Sequence, residues 1–276
     1  MKEISSRANP LWRDWMHQRA VAGRVGNLIW LEGEHLCQAW LTKREQPLWA
    51  VFDQDKVTQP ALNALRQRID PDRQVLLASG LFAQLSTVKA AQGILFLVNH
   101  AQANPISTDD QQQFQFDMAI LLDGVQDPGN LGTLLRLSAA VGVTHVCLGS
   151  GCAAAWSPKV LRSAQGAHFA LNLIETESLV RWLQHYRQVT PEPVKVIATA
   201  LTGAKPLWQT VLPSRSIWVF GHEGQGVSPE LLTMADLKVR IEHDQTVVDS
   251  LNVASAAAIC LFEQSRQHHT TEQHSE

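Results

Sequence analysis

The chain has 276 residues, of which 45% are hydrophobic and 18% charged, and carries a formal net charge of −3. That length is comfortable for two domains, and the composition is that of a globular protein with a sizeable core. No apolar run is long enough to span a membrane, the start MKEISSRANP lacks an apolar signal core, and the weak negative charge does not advertise nucleic acid, so an RNA-binding role needs a local basic patch.

Arg7, Arg13, Arg19 and Arg24 recur at intervals of five or six, with Trp12, Trp15 and Met16 between them. Two readings stand: an amphipathic helix with a solvated basic face, or an RNA-contacting arm with cations for phosphate and Trp for stacking. Strands follow at Leu28–Leu31, Ala50–Phe52, Val75–Ala78 and Ile94–Val98, with helices at His35–Leu41, Pro60–Ile69 and near Leu81–Leu85. This alternation predicts a small α/β domain over residues 1–105. Glu32 reads as structural. The polar, Gln-rich stretch after His100 reads as a linker, centred on 106–115, and the second domain spans 116–267.

Met118–Leu122 is a buried-strand pattern, turning at Asp127-Pro128-Gly129-Asn130 into a helix over Leu131–Val141. Asn130 stands where an N-cap would stand, and Asn130 and Arg136 are expected to look into one crevice. Strands are predicted at Val143–Leu148, Val194–Ala200, Ser216–Phe220 and Leu237–Ile241, and helices from Pro158, over Leu179–Tyr186 and over Ser250–Phe262. The result is a mainly parallel sheet with helices on both faces, a fold that binds ligands at the carboxyl ends of its strands. Lys159 and Arg162 are either a solvated helix face or a phosphate contact. The tail 268–276 is polar and expected to be disordered, and no metal is expected, His268, His269 and His274 included. The four cysteines lack C-x-x-C or metal spacing and read as reduced thiols of a cytoplasmic protein. A P-loop, a G-x-G-x-x-G turn and a G-x-S-x-G elbow are all missing.

Three stretches carry a resemblance. They are LLDGVQDPGNLGTLLR at 121–136, GHEGQGVS at 221–228 after an apolar strand, and SLNV at 250–253 opening an Ala-rich helix. In order and spacing they resemble the three motifs of the SpoU (TrmH-like) RNA ribose 2′-O-methyltransferases of the SPOUT class. The resemblance runs from about Phe116 to Arg266, and the N-terminal domain resembles, more weakly, the ribosomal-protein-like substrate-binding domain of such enzymes. It implies a deep trefoil knot, a homodimer, S-adenosylmethionine as cofactor, and structured RNA as substrate, ribosomal RNA ahead of tRNA.

By the same resemblance, Thr199, Gly221, Ile241 and Leu251 border the cofactor, with the motif-two glycines allowing close backbone approach. Asn130, Arg136, Glu223, Ser250 and Asn252 form the catalytic set. Lys159 and Arg162, which have similar counterparts in the family, and Arg7 and Arg13 of the N-terminal arm are the candidate RNA contacts. Arg136 acts on the ribose 2′-hydroxyl either as base or as a clamp on the phosphate and hydroxyl oxygens. The clamp suits a guanidinium, which stays protonated under nearly all conditions. Glu223 fixes either Arg136 or the loop. One departure is plain: the family usually has Pro-Met after the position of Ile241, whereas this chain has Glu242-His243-Asp244 and a loop one residue longer. The competing readings are a tRNA 2′-O-methyltransferase and a catalytically inactive RNA-binding or ribosome-assembly module.

Overall fold

The computed structural model describes residues 1–20, 28–43, 46–104, 114–244 and 246–272. The chain divides into two compact units, residues 1–105 with 154–169, and residues 106–153 with 170–276. The sequence alone keeps 154–169 in the second domain, but their packing groups them with the first. Trp156 lies edge-on to His100, Phe169 lies edge-on to Trp40, and Arg162 donates to Thr87 Oγ1 at 2.9 Å.

The first unit contains strands β1 (Lys2–Ile4), β2 (Leu28–Glu32), β3 (Trp49–Asp53), β4 (Gln74–Leu77) and β5 (Ile94–Asn99) in the order β1-β4-β3-β5-β2. Strand β5 runs antiparallel to both neighbours. Around the sheet are α1 (Pro10–Ala20), α2 (Glu34–Lys43), α3 (Pro60–Gln67), α4 (Ser79–Leu85) and a turn of helix, α5 (His100–Ala103). On α1, Trp12 and Trp15 are buried, and Trp15 meets Trp30 and Trp49 edge-on at 5.8 and 6.2 Å. Stacking on RNA is thereby excluded for both, because these rings are the domain core. Arg19 donates to Glu32 at 2.7 Å with both side chains almost sealed from solvent, so it too is structural. Burial pulls the Arg19 guanidinium below its ordinary value, opposed by the Glu32 carboxylate. Arg7 and Arg13 are exposed; Arg24 lies outside the described residues.

The second unit holds a parallel sheet, seven-stranded among the described residues: β6 (Met118–Asp123), β7 (His145–Leu148), β8 (Asn172–Glu175), β9 (Lys195–Thr199), β10 (Lys205–Pro206), β11 (Ser216–Gly221) and β12 (Leu237–Arg240), ordered β10-β12-β9-β11-β6-β7-β8. Its helices are α6 (Pro128–Ala140), α8 (Leu179–Val189), α9 (Pro229–Met234) and α10 (Val253–Glu272), while α7 (Pro158–Ala164) packs with the first unit. Strand β11 is buried along its whole length and pairs with β6 and β9. Burial on both sheet faces is what turns central parallel strands into unbroken apolar runs. Phe116, Trp182 and Tyr186 stack over one face, and Phe114 packs edge-on to Trp182 and Tyr186. The linker expected at 106–115 lies largely outside the described residues.

Two helix boundaries differ from expectation. Helix α6 begins at Pro128, with Asp127 as N-cap accepting from Asn130 N at 2.9 Å, so Asn130 is inside the first turn. Helix α10 begins after Asn252, whose Oδ1 accepts from Ala254 N and Ser255 N at 2.9 and 3.2 Å; Ser250 is not the cap. The same helix continues to Glu272, beyond the expected start of the tail, because neither Gly nor Pro interrupts 253–272.

Candidate active site

The carboxyl ends of β9, β11 and β12 open on one side of the second sheet, where a cavity of about 340 Å³ lies. Its wall includes Thr199, Gly221, Ile241 and Leu251, the four residues expected to border a cofactor, together with Glu223 and Ser250. Apolar wall comes from Leu232, Val239, Val253 and Ala256, and polar wall from Thr202, His222, Arg240 and His243.

The loop after β11 is a tight closed turn. His222 N donates to Gly226 O at 3.0 Å, Gly226 N returns to His222 O at 2.8 Å, and Gly226 has φ +72°. A Cβ on Gly221 would lie 2.1 Å from the Gly226 carbonyl carbon. The chain's own turn therefore requires Gly221. Ser228 N donates to Asp123 Oδ2 at 2.8 Å, tying this loop to the end of β6.

A hydrogen-bond chain joins the three motif stretches. Asn130 Nδ2 donates to Glu223 Oε1 at 2.9 Å, and Asn252 Nδ2 donates to Asn130 Oδ1 at 2.9 Å. Gln126 N and Asp127 N also point at the Glu223 carboxylate, at 3.4 and 3.3 Å. An ionised carboxylate only accepts, so it fixes which way the Asn130 amide faces. That orientation fixes Asn252, whose remaining oxygen then caps α10. Burial would raise the Glu223 carboxyl, but the bonds from Asn130 and from loop N–H groups outweigh it and hold it below the ordinary carboxylate range.

Other expected residues are placed differently. Glu223 holds the loop, not Arg136. Arg136 is exposed, without a hydrogen bond or ion pair among the described residues, and does not line the cavity. Six helical residues turn its side chain about 120° away from Asn130, so the crevice expected to be common to both is not formed by these two groups. Ser250 is exposed and its hydroxyl has no partner among the described residues. Lys159 is exposed, whereas Arg162 is half-buried against Thr87. Sequence reasoning missed Asp127, although Pro128 directly after it is a first-turn signal. It also missed His222, whose Nδ1 accepts from Gly224 N at 2.9 Å and Gln225 N at 3.2 Å.

The sequence profile of the SpoU rRNA methylase family matches residues 117–262. The chain belongs to the SpoU rRNA methylase family. Among its relatives is the Bacillus subtilis 23S rRNA (guanosine(2553)-2′-O)-methyltransferase RlmP, 32% identical across 95% of this chain and 98% of the relative. The Pasteurella multocida 23S rRNA (guanosine-2′-O-)-methyltransferase RlmB is 30% identical across 85% of this chain and 96% of the relative. The SpoU methyltransferase AviRb from Streptomyces viridochromogenes, solved in complex with the cofactor AdoMet, shares the fold at a TM-score of 0.79 and 21% identity, over 94% of this chain and 98% of AviRb.

Proposed function

We propose that this SpoU-family protein transfers a methyl group from S-adenosylmethionine to a ribose 2′-hydroxyl in ribosomal RNA. The observation that carries the reading is the Glu223–Asn130–Asn252 chain, which locks three sequence-distant stretches together beside a cavity at the strand ends. Similarity to two 23S rRNA 2′-O-methyltransferases over 95% and 85% of this chain supports it.

The cavity fits the cofactor. Its volume of about 340 Å³ falls within the range of small-molecule sites, which pair apolar walls with a few placed polar groups. Leu251, Val253 and Ala256 offer an apolar surface for a base, and Thr199, Ile241 and Gly221 border the nucleoside. S-adenosylmethionine bound there supplies a methyl group activated for in-line displacement, a reaction in which alignment provides much of the rate. Glu223, Asn130 and Asn252 hold the loops that form the wall. Arg136, an exposed cation on α6 outside this cavity wall, is assigned to the RNA phosphate beside the reacting ribose, where it would clamp phosphate and 2′-oxygen as the RNA docks, and the proton leaves to phosphate or water.

Arg7, Arg13, Lys159 and Arg162 all belong to the first unit, which supports an RNA-binding role for it. Trp208, Val211 and Phe262 are 53%, 91% and 55% exposed, and a homodimer would cover them. Strand β11 is inserted between β6 and β9, and β12 lies beyond β9, an order that supports a trefoil-knotted chain. No helix among the described residues is long and apolar enough to cross a membrane; we assign the protein to the cytoplasm, where its RNA substrate is.

The test is methyl transfer from labelled S-adenosylmethionine to ribosomal RNA from cells lacking the gene, with mapping of 2′-O-methyl sites. Wild type labels a discrete ribose. Arg136→Ala loses transfer yet melts within about 1 °C of wild type, as an exposed side chain without partners among the described residues should. Absence of both cofactor binding and transfer overturns the reading.

A further inference from the structure

The departure from the family pattern at Glu242-His243-Asp244 puts an unusual group in the cavity wall. His243 Nδ1 lies 2.9 Å from Ile241 O. A carbonyl only accepts, so Nδ1 carries the proton, and in the neutral ring Nε2 is left as a bare acceptor. That Nε2 is shut off from solvent and has no partner among the described residues. Buried acceptors are almost always satisfied, and an unsatisfied one asks for an explanation. Here the side chain lines the cavity beside Ile241 and Arg240, and the stretch Thr246–Ser250 that follows is exposed. Binding through Nε2 therefore requires the ring to turn toward the cavity.

We infer that His243 is a cofactor-binding residue of this chain, its Nε2 accepting a hydrogen bond from an N–H or O–H donor on the nucleoside half of the bound cofactor. The inference rests on the S-adenosylmethionine reading above and deepens it. The two ribose hydroxyls and the adenine exocyclic amine are the donors that half offers, and the same acceptor chemistry serves any of them. Bonding to the backbone through Nδ1 holds the ring so that only Nε2 remains for a ligand. The polar segment thus replaces an apolar wall with one directional contact.

The experiment is a cycle of ligand analogues against two variants, read by calorimetry on the full chain. The ligands are S-adenosylhomocysteine and its 2′-deoxy, 3′-deoxy and N6,N6-dimethyl analogues. His243→Asn keeps a short amide able to donate to Ile241 O but does not reach the Nε2 position. His243→Gln places an acceptor near that position. Wild type is expected to lose about tenfold in affinity for the one analogue lacking the donor. In His243→Asn that analogue and its parent bind equally, and His243→Gln restores part of the difference. Which analogue is penalised tells hydroxyl from amine. Equal binding of all analogues by wild type, or a penalty that persists unchanged in His243→Asn, overturns the assignment while leaving the methyltransferase reading in place. Failure of wild type to bind either S-adenosylmethionine or S-adenosylhomocysteine overturns both. Should His243→Asn misfold, the wild-type analogue series and His243→Gln still decide.

Discussion

Asn130→Asp replaces an amide nitrogen by oxygen and inverts one contact. In the wild type the Asn130 amide donates to Glu223 Oε1 at 2.9 Å and accepts from Asn252 Nδ2 at 2.9 Å. The second bond survives the substitution, because a carboxylate also accepts. The first becomes two carboxylates in contact. At that distance like charges repel by about 6 kcal/mol at an effective dielectric of about 20, and by about 1.5 kcal/mol in bulk water. Both side chains are half-buried, so the expected destabilisation at neutral pH is about 2–4 kcal/mol. The pair relieves its repulsion by taking up a proton, so its folded-state pKa rises above the unfolded value. The penalty is then greatest at and above neutral pH and shrinks as pH falls. Wild-type Glu223 has the opposite sense: its depressed pKa gives stability that is present above the unfolded pKa and lost as pH falls through the folded one. Urea unfolding between about pH 5 and 8, followed by far-ultraviolet circular dichroism, compares the variant with wild type and with Asn130→Ala. A penalty for Asn130→Asp that is no larger at the alkaline end than at the acid end would refute the orientation argued for this chain of amides.

Two further outcomes are expected. Gly221→Ala forces its Cβ within 2.2 Å of Val227 N, which is backbone and cannot step aside; the cost is about 3 kcal/mol, and a thermal melt unchanged from wild type would contradict the turn geometry. His168 is fully buried, with Nε2 on Ala155 O at 2.8 Å and Nδ1 without a partner among the described residues. Burial depresses its pKa from 6.5 to about 4. Its neutral form is therefore fully stabilising above pH 6.5, and about 3 kcal/mol is lost as pH drops from there through about 4. His168→Phe should flatten that part of the stability profile, and an unchanged slope would count against the assignment.

What the sequence could show follows from how each signal is generated. Central strands such as β6 and β11 announce themselves because burial on both faces demands unbroken apolar runs. The missed strands β1, β8 and β10 have two to four residues and lie at or near a sheet edge, where solvent permits polar residues and the period is too short to detect. The four residues that the resemblance implied as neighbours of one another, Thr199, Gly221, Ile241 and Leu251, do meet at one cavity. The meaning of Gly221 was not legible, because a glycine in the sequence does not say whether a ligand or the chain's own turn needs the space. Arg19, Trp12 and Trp15 were left between two readings for a related reason: cation and ring can decorate a surface or build a core, and only the tertiary partners Glu32, Trp30 and Trp49 distinguish the two.

The stretch 154–169 gives the order of synthesis a role in folding. The first unit ends its sheet with β5 but lacks Trp156, Phe169 and α7 until the ribosome has also made β6, α6 and β7. Domains usually fold as they emerge, N-terminal first; this one must wait about seventy residues past its last strand, from Asn99 to Phe169, before it can close. A fragment ending at the linker would carry Trp40 and His100 without their aromatic partners. Dissection of the two units by truncation at 105 should therefore yield an aggregation-prone piece, whereas joining 154–169 back to 1–105 gives the smaller unit that physics allows.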